Sequence, residues 1–124
     1  MTLRKLIRFD GLAALASGCA VLLVREWIVG WSGLPASTLA TMAGISLGYA
    51  AYSVSLSLKA VIPAIGVKAL IAANLVWAAV CVGVLAFHSA TLLGYAYLSI
   101  EALFVLILAW LERTELSRLP AIDR

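Results

Sequence analysis

Glu101 is the residue of this chain that most needs a chemical explanation. It stands in the middle of Leu92 to Leu111, an apolar stretch of about 20 residues, long enough to cross a bilayer as a helix. A carboxylate at that depth costs about 3 kcal/mol on insertion scales. The 11 Leu, Ile, Val and Phe residues of the stretch outweigh it, at roughly 0.3–0.6 kcal/mol each near the centre and less toward the ends. The stretch is therefore predicted to insert, and Glu101 must meet a polar partner, a proton or water. Three more polar residues fall inside apolar stretches. At ~1.5 Å per residue, Tyr49 lies near the centre of its stretch, Asn74 one turn short of the centre, and Asp10 nearer an end. Polar residues at similar depth are expected to face one another inside a bundle. A Glu101–Asn74 or Glu101–Tyr49 hydrogen bond would lower the cost of burial. Two chemistries follow. Glu101 could donate a proton to Asn74 as a structural lock, or it could exchange a proton or cation. The lock is the favoured expectation.

Other chemistries find no support. No serine or cysteine has a plausible histidine base nearby, and no phosphate loop or metal-ligand spacing is present. His88 is the only histidine, and a lone histidine supplies neither a metal site nor paired haem ligation. The expectation is a protein that is not an enzyme, with no metal and no cofactor. Cys19 and Cys81 both lie in apolar stretches and are read as small apolar core residues.

Composition sets the class. Of 124 residues, 65% are hydrophobic and 12% charged, more apolar surface than a water-soluble domain of this size can hide. The net charge of +3 forms no basic patch interleaved with aromatics, so no nucleic-acid partner is expected. The lipid bilayer is the expected surroundings, with a membrane-protein partner or a homo-oligomer as protein contacts.

Four apolar stretches must position the polar residues. Helices are predicted over 7–24, 36–58, 66–87 and 92–111, with 112–124 as a cytoplasmic tail that continues the last helix briefly. The first is read as an uncleaved span, because Asp10 interrupts its start and apolar residues follow Cys19. Small residues near the Asp10 face, Ala14, Ser17 and Gly18, would admit a neighbouring backbone. Residues 25–35 are read as a short connection, with Trp27 and Trp31 as interfacial anchors and Arg25 paired with Glu26. In the second helix, Ala40, Gly44 and Gly48 form a small-xxx-small ridge. Close packing inside one bundle is its expected use, and a dimer seam is the alternative. With four spans, Arg4, Lys5, Arg8, Lys59, Lys68, Arg113, Arg118 and Arg124 fall on one side and Arg25 on the other. The positive-inside rule then puts both termini in the cytoplasm.

Several short segments carry a family resemblance. They are Phe9-Asp10-Gly11 with Ala16-Ser17-Gly18, Gly33-Leu34-Pro35, Asn74-Leu75-Val76-Trp77, Leu93-Gly94 and Glu101-Ala102. Together they resemble a set of small bacterial four-helix integral membrane proteins without an assigned activity. That resemblance implies a four-helix bundle in the bacterial inner membrane and no particular chemistry. The expected architecture is all-α: a single-domain, antiparallel, four-helix transmembrane bundle. The expected role is a non-catalytic accessory, assembly or interaction subunit. The alternative is an oligomeric small transporter or channel with Glu101 as its proton or cation site.

Overall fold

The computed structural model describes residues 2–119, and every regular element among them is a helix. They are α1 (Leu3–Leu23), α2 (Arg25–Ser32), α3 (Ala36–Ser57), α4 (Ala64–Phe87) and α5 (Leu92–Ser117). α1, α3, α4 and α5 are each long and apolar enough to cross a membrane. Only 22–33% of each apolar window is buried inside the molecule. Leu23, Ile65, Val76, Phe87 and Ile100 point outward, each at least 62% exposed. Apolar surface on that scale calls for an apolar solvent, so the fold is that of a membrane protein.

The fifth helix, α2, corrects the expectation of a simple connection at 25–35. Residues 25–32 hold one glycine, Gly30, and no proline, and Ile28 and Ser32, one turn apart, both face inward. That spacing is enough to hold a two-turn helix against the bundle. The true connection shrinks to Gly33-Leu34-Pro35, where Gly33 at φ 75° ends α2 in the left-handed conformation. Thr91 then ties α2 to α5: its N–H donates to Ser32 O (3.0 Å) and its hydroxyl to Trp31 O (2.5 Å). Gly94 packs so closely on the Ser32 carbonyl that a side chain there would collide with backbone.

The helices associate chiefly as two pairs, α1 with α3 and α4 with α5. Glycine explains the first. A Cβ on Gly11 would sit 3.0 Å from the Val54 backbone nitrogen, and one on Gly18 3.1 Å from Ala43 O. Where the backbones come that near, Ser53 donates to Ile7 O (2.8 Å) and Ser46 to Ala14 O (3.1 Å). The first turn of α1 also closes the end of α3. Arg4 donates to Ser57 O (2.5 Å), Lys59 O (2.6 Å) and Ala60 O (3.1 Å), carbonyls at or just past the helix end. The two pairs meet through α1 and α5. α3 and α4 touch chiefly beside their connecting loop, where Tyr52 donates to Gly66 O (3.0 Å).

Two apolar cores result. One gathers Val21, Ile28, Leu34, Leu39, Cys81 and Leu98 at the α2 end. The other gathers Ile7, Leu56, Val67, Leu70 and Leu116 at the opposite end.

Three further expectations change. The Ala40-Gly44-Gly48 ridge is not the seam within the bundle: Gly44 and Gly48 are exposed, and a Cβ added to either meets nothing within 4 Å. α3 turns a different face inward, with Ala43 and Ala50 as its small buried residues. Cys81 is buried as expected, but Cys19 points outward. Finally, α5 runs on to Ser117, and Glu112, assigned by sequence to the cytoplasmic tail, is fully buried.

Candidate functional site

The polar residues inside the spans form two groups rather than one. In the first, Asp10 of α1 is 3% exposed and Asn74 of α4 is 2% exposed. Asp10 Oδ2 accepts hydrogen bonds from the Tyr49 hydroxyl of α3 and from Asn74 Nδ2 (3.1 Å). The same Nδ2 points toward Glu112 Oε2 of α5 (3.5 Å). Glu112 Oε1 is buried with no hydrogen-bond partner among the described residues. One amide thus holds carboxyl groups from two helices, and neither Asp10 nor Glu112 has an ion-pair partner among the described residues.

The second group is Glu101 and Trp77, with the indole Nε1 donating to Glu101 Oε1 (3.2 Å). The expected Glu101–Asn74 and Glu101–Tyr49 bonds are absent. The reason lies in what else the bundle offers. Asp10 and Glu112 occupy Asn74, Asp10 occupies Tyr49, and the long indole one turn past Asn74 reaches Glu101 instead. The structure brings Asp10, Asn74 and Tyr49 together, with Glu112 in the place foreseen for Glu101.

Sequence reasoning missed Glu112, although a signal was there. Glu112 follows Glu101 by eleven positions, close to three helical turns, which puts both on one face. Val105 and Leu108 between them share that face and are buried.

The two groups look into one cavity of about 280 Å³ between the helix pairs. Asp10, Tyr49 and Asn74 line it, and so do Trp77 and Glu101. Most of the remaining wall is apolar: Ala13, Ala14, Ala73, Val80, Phe104 and Val105. Ile45 and Val76 also line it while remaining 52% and 62% exposed. The cavity therefore opens sideways, between α3 and α4, where those helices part. Ile45 and Val76 lie near the middle of their helices, so the opening is at the mid-depth of the spans. Asp10 offers a free Oδ1 and Glu101 a free Oε2, since the hydrogen bonds to each reach only its other oxygen.

No family model, curated protein or solved structure matches this chain. Among the described residues, no three His, Cys, Asp or Glu side chains are placed to hold a metal ion together. What the arrangement offers is carboxyl groups, three polar hydrogen donors and apolar walls.

Proposed function

We propose that this chain is a small bacterial inner-membrane transporter or channel that works through the cavity between its helix pairs. Its four spans run antiparallel, both termini lie in the cytoplasm, and the protein performs no covalent catalysis. One observation carries the reading. Three carboxyl groups, Asp10, Glu101 and Glu112, stand inside the spans with no ion-pair partner among the described residues, and two of them face a cavity. Ionisable groups kept inside a membrane protein mark ion or substrate paths, because each raises the cost of insertion. A structural lock needs one buried hydrogen bond; it does not need an open cavity with an acid facing in from α1 and another from α5.

The test is flux. Reconstituted in liposomes, the protein is expected to dissipate an imposed pH gradient, and Glu101→Gln is expected to abolish the dissipation. Preserved flux in that variant would remove Glu101 from the mechanism.

The accessory role remains as a second reading, favoured by the uncovered Gly44–Gly48 ridge. Small residues facing lipid give another helix a place to approach closely. Its mark is a foreign protein held at fixed stoichiometry when the complex is extracted in mild detergent. A homo-oligomer alone would leave transport as the better reading.

A further inference from the structure

We propose that the cavity is a binding site for a small organic cation with an apolar body, entered sideways from the bilayer. The inference rests on the reading of the cavity as the functional site and adds the class of ligand. Four features of the cavity select that class. Its volume, about 280 Å³, is near the lower end of small-molecule sites, roughly 300–1,000 Å³, which suits a compact ligand. Its polar anchors are acids: Asp10 and Glu101 both line it, and each has one oxygen that accepts no hydrogen bond. Its walls are aliphatic and aromatic, with Trp77, Tyr49 and Phe104 offering ring surface. Its opening lies beside Ile45 and Val76, at a depth where a bilayer holds hydrocarbon.

An inorganic cation fits these features poorly. Sodium-sized and divalent ions need several oxygen ligands to replace their hydration shell, about six to eight for calcium. The cavity wall offers few, because the residues lining it lie within helices whose carbonyls are taken up by the helix itself. A substituted ammonium is weakly hydrated. It needs one or two carboxylates for its charge and gains from every apolar contact. The sideways entrance favours the same ligand, since an amphiphilic cation concentrates in the membrane that the entrance faces.

The measurement is equilibrium dialysis of radiolabelled benzyltrimethylammonium against the purified full-length protein in detergent. Neopentylbenzene, its uncharged carbon counterpart, serves as competitor, and so does excess sodium. Saturable binding is expected, displaced by other organic ammonium ions and not by sodium or neopentylbenzene. Glu101→Gln and Asp10→Asn should each weaken it about tenfold or more, as loss of a desolvated charge partner does. Ala73→Phe keeps every carboxyl group and fills the cavity, so it should abolish binding. Val76→Trp, at the entrance, gives the same test should Ala73→Phe not fold. No saturable binding to the wild type overturns the inference. So does equal competition by neopentylbenzene, or unchanged binding in the filled-cavity variant. If protons flow and Glu101→Gln stops them while no ammonium binds, the inference fails and the transport reading stands. If ammonium binds in this way and no flux of any kind is found, transport fails and the site stands.

Discussion

Asn74 is the residue on which the buried polar layer depends, because its one amide serves two carboxyl groups. Tyr49 serves only Asp10. An interhelical hydrogen bond inside a membrane averages about 0.6 kcal/mol, so Tyr49→Phe should cost ~0.5–1 kcal/mol. Asn74→Leu strips the amide donor from both carboxyl groups, and leaving a buried group unsatisfied costs about 1–3 kcal/mol. Asn74→Leu should therefore be the more damaging by at least ~1 kcal/mol in mixed-micelle unfolding, and the reverse order would refute this hierarchy. Glu112→Gln should behave differently again. Glu112 lies beside Asp10 as well as Asn74, with one oxygen unpartnered. An amide in its place carries no charge and can donate to Asp10, so the variant is expected to be neutral or up to ~1.5 kcal/mol more stable. A loss above ~1 kcal/mol in the same unfolding measurement would mean that the carboxyl group itself holds the bundle together.

At the scale of the helix, two glycine sets in the α1–α3 pair have opposite roles. Alanine at Gly11 would bring its methyl to 2.8 Å from Val54 Cγ2 and 3.0 Å from the Val54 backbone nitrogen. Part of that obstacle is backbone and cannot rotate away, so Gly11→Ala should push α1 from α3 at a cost of about 1–3 kcal/mol. Alanine at Gly44 or Gly48 meets nothing and suits a helix better than glycine by roughly 0.5–1 kcal/mol. Thermal denaturation in detergent should rank Gly48→Ala above the wild type and Gly11→Ala below it. A destabilised Gly48→Ala would show that a second helix covers the ridge, and size-exclusion mass would then identify a dimer or a foreign partner. The sequence could not separate the two sets, because GxxxG spacing says that a close approach is possible and not which face turns inward. The spans themselves were legible, since length and apolarity need no partner. α3 was expected over 36–58 and spans Ala36–Ser57. α2 was not legible, because its tryptophans and its neighbouring glycine and proline also describe an interfacial turn.

Across the whole molecule, the two helix pairs enclose the cavity, and most cations of the described residues gather at one end. Depth along each helix can be counted from sequence, which puts Asn74 and Tyr49 at similar levels and Asp10 nearer an end. The rotation of each helix could not be counted, and rotation decides that Trp77 and not Asn74 meets Glu101. Orientation depends on neither, only on which end carries the cations. Arg4 lies at the end where α3 gives way to α4, with its guanidinium on the carbonyls of Ser57, Lys59 and Ala60. Lys5, Lys59 and Lys68 belong to the same end by their position in α1, the α3–α4 loop and the start of α4. The opposite end has Arg25, whose Nε lies 3.7 Å from Glu26. A bias this strong should fix one orientation, with the α3–α4 loop in the cytoplasm and the α4–α5 turn outside. Single cysteines can read it in a background of Cys19→Ser and Cys81→Ala. Ser89→Cys, in the α4–α5 turn, should react with a membrane-impermeant maleimide in intact cells. Ala60→Cys should react only after the cells are opened, since just its backbone carbonyl is engaged by Arg4. Labelling of Ala60→Cys in intact cells with Ser89→Cys protected would invert the protein. Equal labelling of both would mean two orientations coexist, and the cavity would then open to each side of the membrane in different copies.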